Sequence, residues 1–186
     1  MTTLSIFNQN QPETPHTVTS DPASIGEVLA VHQVRFEQWQ TRDLPPEAGQ
    51  DEILEAYADE VARLKEADGF QAADVVSLTP DHPQKEAFRQ KFLDEHTHSE
   101  DEVRFFVRGQ GLFYLHFDDQ VYALMCEKND LISVPAGTRH WFDMGPEPEF
   151  TCIRLFTNPD GWVASFTGED IAGRLPRYEG LAGALA

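Results

Sequence analysis

A series of short β-rich runs fills the chain between about Glu95 and Thr157. The runs are EVRFFVRG, GLFYLHF, QVYALMCE, DLISVPAG, HWFDMG and EFTCIRLFT, and Gly, Asp, Asn and Pro residues separate them. Several short strands at such even spacing are typical of an all-β sandwich or barrel. We therefore predict a mainly β protein whose barrel core spans residues 95–157.

The first half of the chain mixes both kinds of element. Residues 4–9, 34–39 and 73–79 read as strands. Helices are predicted after Ser20-Asp21-Pro22, over 47–67 with Gly69 as its stop, and after Pro83. We expect one domain over 1–186, in which 1–94 pack on the barrel, the helices flank it, and 158–186 form a cover of loop and short helix.

The charge of the chain excludes several kinds of partner. There are 14 Lys and Arg residues against 32 Asp and Glu residues, which gives a formal net charge of −18. Such a chain is repelled by phosphate backbones and anionic lipid, so neither nucleic acid nor a membrane surface is expected as a partner. This charge and the absence of an obvious apolar patch favour a monomer.

The chain has no apolar run long enough to span a bilayer, and its first residues, MTTLSIFNQNQPETPH, lack the basic and apolar regions of a secretory signal. We therefore expect a cytoplasmic protein. Its two cysteines, Cys126 and Cys152, lie in apolar runs and are expected to be buried thiols. Because no CxxC motif occurs, a zinc site built on thiolates is excluded.

Residues 96–102, HTHSEDE, place several metal-binding side chains close together. On a strand His96 and His98 point to the same face, and the intervening SED can bend the chain so that Glu102 returns to that face. His140 follows the turn VPAGTR and can reach the site from a neighbouring strand. Three imidazoles and one carboxylate suit iron, nickel, manganese or zinc better than calcium or magnesium. The alternative is a set of unrelated surface histidines.

Two segments, HTHSEDEVRFFVRG and DLISVPAGTRHWFDMG, resemble the two signature motifs of the cupin superfamily. The first keeps the His-x-His pair, the following Glu and the closing Gly109. The second keeps Pro135, Gly137 and His140. The chain departs from the motifs at Gln90, Asn129 and Met144, where Met144 replaces the closing Asn of the second motif.

A narrower resemblance extends from about residue 30 to about residue 175. The segments HTHSEDEVRFFVRGQGLFYL, VRFEQW, VPAGTRHWFDMG and RLFTNPDGWVASFTGEDIA resemble the acireductone dioxygenase family of methionine salvage. The resemblance implies a single cupin (double-stranded β-helix, or jelly-roll) barrel with flanking helices. It implies one Fe²⁺ or Ni²⁺ per chain, with His96, His98, Glu102 and His140 as ligands.

The resemblance also implies the reaction. The substrate would be 1,2-dihydroxy-3-keto-5-methylthiopentene, an acireductone, and the second substrate would be O₂. With Fe²⁺ the products would be 4-methylthio-2-oxobutanoate and formate. With Ni²⁺ they would be methylthiopropionate, formate and carbon monoxide.

Further side chains fit this chemistry. Arg104 should share the face of Glu102, where its charge could stabilise an anionic ene-diolate, and Arg154 is a second candidate. Either could instead form a structural salt bridge. Asp101 could orient a histidine or accept a substrate proton, or it could be a solvated loop acid.

Three aromatic residues are candidates for a pocket that binds the thioether tail. Phe142 lies two residues after His140, Phe106 continues the face of Glu102 and Arg104, and Trp162 follows the last run. Core packing is the alternative for each of them.

Two other functions are compatible with the same residues. One is a different metal-dependent cupin enzyme, either an isomerase or another dioxygenase. The other is a non-catalytic cupin that binds a small molecule. Few basic residues lie near the predicted site, which disfavours a sugar-phosphate isomerase. No DNA-binding motif is apparent, which disfavours a transcriptional sensor.

Overall fold

The computed structural model describes residues 1–158 and 163–184. Within them the strands are β1 (Thr3–Asn8), β2 (Thr17–Thr19), β3 (Arg35–Gln38), β4 (Ala72–Leu78), β5 (His96–Thr97), β6 (Glu102–Phe117), β7 (Gln120–Glu127), β8 (Asp130–Val134), β9 (Arg139–Asp143), β10 (Phe150–Phe156) and β11 (Ser165–Phe166). The helices are α1 (Pro22–Ala30), α2 (Gln50–Ala56), α3 (Ala58–Asp68), α4 (Lys85–Phe92), α5 (Ile171–Arg174) and α6 (Tyr178–Ala184). The prediction of a mainly β protein is confirmed.

The long strand β6 connects two antiparallel arrays. One array runs β11-β5-β9-β6-β7-β1-β2, and the other joins β4, β10, β6, β8 and β3. Apolar side chains from both arrays meet in one cluster, which includes Phe113, Leu124, Ile132 and Cys152. Two packed arrays that share a strand and enclose a core are the arrangement expected for a jelly-roll barrel.

The strand β6 is continuous, although the sequence predicted two runs that separate at Gly109. Its first half pairs with β8 and β10, and its second half pairs with β7 and β9. Gly109 has a φ of 69°, which lets the backbone turn from one array to the other without ending the strand. The prediction that Gly109 ends the strand is therefore wrong.

The helix predicted over 47–67 is two helices, α2 and α3. The break falls at Tyr57, whose φ and ψ are −113° and 22°. The ring of Tyr57 is fully buried and meets Phe105 edge-on at 4.9 Å between centroids. Packing of this aromatic side chain thus overrides the helical periodicity of the segment. Gly69 ends α3 in the left-handed conformation, as the sequence predicted.

Two further clusters cover the outer faces of the strands. The helices α2 and α3 pack on β6, β8 and β10 through residues such as Ile53, Leu64 and Phe105. The helix α5 packs on β6, β7 and β9, where Ile171 contacts a group that includes Trp141. In the described part of the chain no helix is long and apolar enough to cross a bilayer. The helices α2, α3 and α5 thus pack on the outside of the barrel.

Both cysteines are buried free thiols, as expected. Cys126 and Cys152 lie in the inner cluster between the two arrays. Burial raises the pKa of Cys152 to about 12, so this thiol stays protonated and packs as an apolar group.

Replacement of Gly109 by alanine should destabilise the fold. A Cβ atom there would lie 1.7 Å from the carbonyl oxygen of Glu149, and the φ of 69° strains any L side chain. Gly69 is the matched control, since its φ is 77° but nothing lies within 4 Å of a Cβ atom. We expect Gly69→Ala to lower the free energy of unfolding by about 1–2 kcal/mol and Gly109→Ala by clearly more, in urea denaturation. Equal losses would contradict the steric account.

Candidate metal centre

Three histidines converge at one end of the barrel. His96 on β5 and His140 on β9 are direct cross-strand partners, and His98 lies two residues beyond His96. Each offers a ring nitrogen, and these atoms all lie within 4.8 Å of one another. All three side chains are buried. The i, i+2 spacing and the antiparallel pairing of two strands therefore place three imidazoles around one point.

The other ring nitrogen of each histidine faces a backbone carbonyl. Nδ1 of His96 lies 2.7 Å from the oxygen of Asp94, and Nδ1 of His140 lies 2.8 Å from the oxygen of Thr138. Nδ1 of His98 lies 3.3 Å from the oxygen of Val163. A carbonyl can only accept, so each Nδ1 carries a proton and each Nε2 faces the site.

Glu102 supplies an oxygen donor at the same point. It is the first residue of β6 and is 2% exposed. Its Oε2 lies 2.8 Å from Nε2 of His140 and 3.3 Å from Nε2 of His98. Its Oε1 accepts a hydrogen bond of 2.7 Å from Nε of Arg104. Each oxygen of this buried carboxylate therefore has a polar partner.

The protonation states suit a metal. Burial opposes the charge of Glu102, but Arg104 and the two histidines hold its pKa well below its usual range. Burial and the neighbouring His140 lower the pKa of His96 to about 4. Burial lowers the pKa of His140 too, but the hydrogen bond and charge of Glu102 outweigh burial and leave that pKa raised.

The donor set therefore fits a transition metal ion. Glu102 is ionised, His96 is neutral, and a close contact between a carboxylate oxygen and Nε2 of His140 is a place where a cation could replace a shared proton. Neutral imidazoles with a carboxylate suit divalent iron, nickel or zinc. The histidines are also oriented through their second nitrogen, as metal-binding histidines usually are.

A cavity of about 450 Å³ opens beside these four residues. Its walls combine polar and apolar side chains. The lining residues other than the four donors are Lys91, Phe92, Arg104, Phe142, Arg154, Val163, Ala164 and Phe166. A small polar molecule with an apolar substituent would match such walls.

Arg104 reaches this cavity, as the sequence predicted. Its side chain is buried, and its guanidinium carbon lies 5.1 Å from the ring centre of Phe142 and 5.7 Å from that of Phe113. Glu102 on one side and two aromatic faces on the other keep this cation in place. Phe142 is itself a wall of the cavity, in agreement with its predicted position.

Arg154 lies directly across from Arg104 in the pairing of β10 with β6. It lines the cavity but also forms a bidentate ion pair with Asp74 of β4, at 2.8 and 2.5 Å. Both possibilities raised by the sequence are therefore present at once: a salt bridge, and a position at the site.

The prediction that Phe106 lines the pocket is wrong. Its ring is fully buried, with the rings of Phe113 and Phe150 each 6.5 Å away between centroids. It does not belong to the cavity wall, because the face that it shares with Glu102 and Arg104 continues into the core. Trp162 lies outside the described residues.

Asp101 does not line the cavity either. Its Oδ1 accepts a hydrogen bond of 2.8 Å from the backbone N–H of Ala136. Beside it, the N–H of Gly137 donates to the carbonyl of His98 at 2.9 Å. Asp101 thus connects the bend that follows His98 to the turn that precedes His140. This position suits a residue that orients the turn better than one that exchanges a proton with a substrate.

Several cavity residues were missed by the sequence reasoning. Lys91 and Phe92 lie in the last turn of α4, only a few residues before His96, and this proximity was a usable signal. Phe166 on β11 is a Cα partner of His96, and its ring centre lies 5.8 Å from that of His96. No local pattern in the sequence predicts this pairing.

The fold and the site together define a metal-binding cupin. The model of the ARD/ARD′ family matches residues 3–164. Acireductone dioxygenase of Marinobacter nauticus is 81% identical over 98% of this chain and 99% of its own length. The corresponding protein of Hahella chejuensis is 64% identical over 97% of this chain and 98% of its own.

A solved structure agrees with these relatives. Acireductone dioxygenase from Bacillus anthracis, with a cadmium ion in its active centre, superimposes with a TM-score of 0.79. It is 30% identical, and the match covers 89% of this chain and 98% of that one. The chain therefore belongs to the acireductone dioxygenase family.

Removal of the Asp101 carboxylate should weaken metal binding. Asp101→Ala deletes the acceptor that holds Ala136, whereas Asp101→Asn keeps an oxygen in that place. Loss of an orienting contact of this kind costs about tenfold in metal affinity. We expect that loss for the alanine variant and near-normal affinity for the asparagine variant, measured by competition with a chromophoric chelator. An asparagine variant as weak as the alanine variant would refute this role.

Proposed function

We propose that this chain is a metal-dependent dioxygenase that cleaves 1,2-dihydroxy-3-keto-5-methylthiopentene with O₂. The observation that carries the proposal is the set of three Nε2 atoms and one buried carboxylate beside an open cavity. The similarity to acireductone dioxygenases over nearly the whole chain supports the same reaction.

One Fe²⁺ or Ni²⁺ per chain would be held by His96, His98, Glu102 and His140. The bound ion would supply Lewis acidity and adjacent positions for a chelating substrate. We propose that Fe²⁺ leads to 4-methylthio-2-oxobutanoate and formate, and that Ni²⁺ leads to methylthiopropionate, formate and carbon monoxide.

Arg104 is the residue that this geometry assigns to the negative charge of the substrate. The guanidinium is buried, and the charged partner that we identify for it, Glu102, is needed at the metal centre. An ene-diolate in the cavity would meet this buried cation, and charge interactions at buried groups are screened less than those at the surface. Phe142 lies against the guanidinium and keeps it at the cavity wall.

The remaining predicted residues take supporting roles. Arg154 adds positive charge to the same wall while Asp74 fixes its position. Asp101 orients the turn that carries His140. Contact of Trp162 with the substrate, a monomeric state and a cytoplasmic location stay predictions.

Metal exchange tests the proposal. Protein stripped by a chelator should take up no oxygen with the acireductone, and one equivalent of either Fe²⁺ or Ni²⁺ should restore uptake. Carbon monoxide should form only with Ni²⁺. Because the protein side chains are the same in both forms, a difference in products would be due to the ion. Gas chromatography for carbon monoxide and an assay for formate measure this. The same products from both reconstituted forms would contradict the proposed control by the metal.

Replacement of Arg104 should affect catalysis strongly. Arg104→Met removes the charge that faces the cavity, and we expect kcat/KM to fall by about 10²–10³-fold in the metal-loaded enzyme. Arg35→Met is the control, because Arg35 pairs with Asp68 on a different part of the surface. Metal content is measured for each variant. A metal-replete Arg104→Met enzyme with normal kcat/KM would exclude the role given to Arg104.

A further inference from the structure

A second cavity adjoins the metal cavity. Its volume is about 300 Å³, and it shares three wall residues with the metal cavity, namely Phe92, Arg104 and Arg154. The rest of its lining comes from β4, α4, the loop between them, the residue that follows β9 and the first residue of β10. These residues are Val76, Ser77, Leu78, His82, Phe88, Met144 and Phe150. We call this space the side chamber.

Apart from the two arginines, Ser77 and His82, the walls of the side chamber are apolar. Leu78, Met144 and Phe150 are buried wall residues. Val76 and Phe88 are partly buried and pack against the same core cluster. Among the described residues, no carboxylate lines this space. A cationic group would therefore find no partner here, whereas an alkyl or thioether group would gain by burial against the apolar walls.

Its polar wall residues already have partners. Ser77 exchanges a hydrogen bond of 3.0 Å with Thr151, and Nδ1 of His82 accepts one of 3.1 Å from the backbone of Gln84. Arg154 is held by Asp74. The side chamber therefore presents its apolar surface rather than unsatisfied polar groups.

We propose that the side chamber receives the apolar tail of the acireductone, while the ene-diolate head stays in the metal cavity. This inference rests on the proposed function. The two arginines mark the boundary: the head lies on their polar side, beside Glu102, and the tail extends past Phe92. The location differs from the pocket of Phe142, Phe106 and Trp162 that the sequence predicted for the tail.

Met144 and two aromatic rings form part of the wall of the side chamber. Met144 stands where the cupin motif usually ends in Asn, and the structure places it, 3% exposed, in the wall of the side chamber. Phe88 and Phe150 add aromatic rings, which make favourable contacts with sulfur. These wall residues therefore match a thioether or alkyl ligand.

The size of the side chamber predicts a range of substrates. A methylthioethyl group is much smaller than about 300 Å³, so longer tails should also fit. Each buried methylene should raise kcat/KM by up to about fourfold until the space is full. The substrate class is therefore acireductones with apolar tails of varied length, not one tail alone.

Two substitutions at Val76 test the assignment, since Val76 lines the side chamber but not the metal cavity. Val76→Phe should fill the space and lower kcat/KM for the methylthioethyl substrate by about tenfold or more. The kcat/KM for an acireductone with only a methyl tail should not change. Val76→Ala should shift the preference towards longer tails. Val75→Ala removes the same atoms from the opposite face of β4 and should leave the preference unchanged.

The outcomes separate the two proposals. If the wild-type enzyme, loaded with Fe²⁺, takes up no oxygen with any acireductone, the proposed function fails. If the wild type is active but Val76→Phe changes kcat/KM equally for short and long tails, or not at all, the side chamber does not bind the tail. Thermal unfolding and metal content verify that each variant is folded. Should Val76→Phe not fold, an unchanged tail preference in Val76→Ala overturns the assignment by itself.

Discussion

The site depends on one carboxylate, Glu102, that stays ionised inside the barrel. Removing such a charge from water is costly unless partners surround it. Arg104 donates to one oxygen, and His98 and His140 approach the other. The strand β6 is what brings these groups together, since Glu102 and Arg104 point the same way from it. Positive charge is therefore required at this point, and a divalent ion held by the same groups would supply it.

Backbone carbonyls give the site its geometry. The carbonyls of Asp94, Thr138 and Val163 each accept from an Nδ1, so every Nε2 faces inward before any ion arrives. Val163 belongs to the segment that also pairs, through β11, with the strand of the first histidine. The shape of the cavity and the orientation of the three histidines are thus coupled, and both arise from ordinary antiparallel pairing.

The sequence could predict that these four side chains converge, because their signals are local. The segment from His96 to Glu102 has the residue types and the spacing that place donors on one face, and His140 follows a Pro-x-Gly turn. Features that depend on contacts between distant segments could not be predicted. The tyrosine that splits the predicted helix, and the positioning of Phe166 by β11, follow from tertiary packing. Phe106 shows the same limit, because strand alternation gives the face of a residue but not its depth.

Crystallography of the Fe²⁺-loaded protein, with anomalous scattering at the iron edge, would show whether one ion lies between these four side chains. We expect one anomalous peak per chain, about 2.0–2.2 Å from the Nε2 atoms of His96, His98 and His140 and from an oxygen of Glu102. A peak bound through Nδ1, a peak that leaves out any of these four residues, or no peak between them would contradict this arrangement.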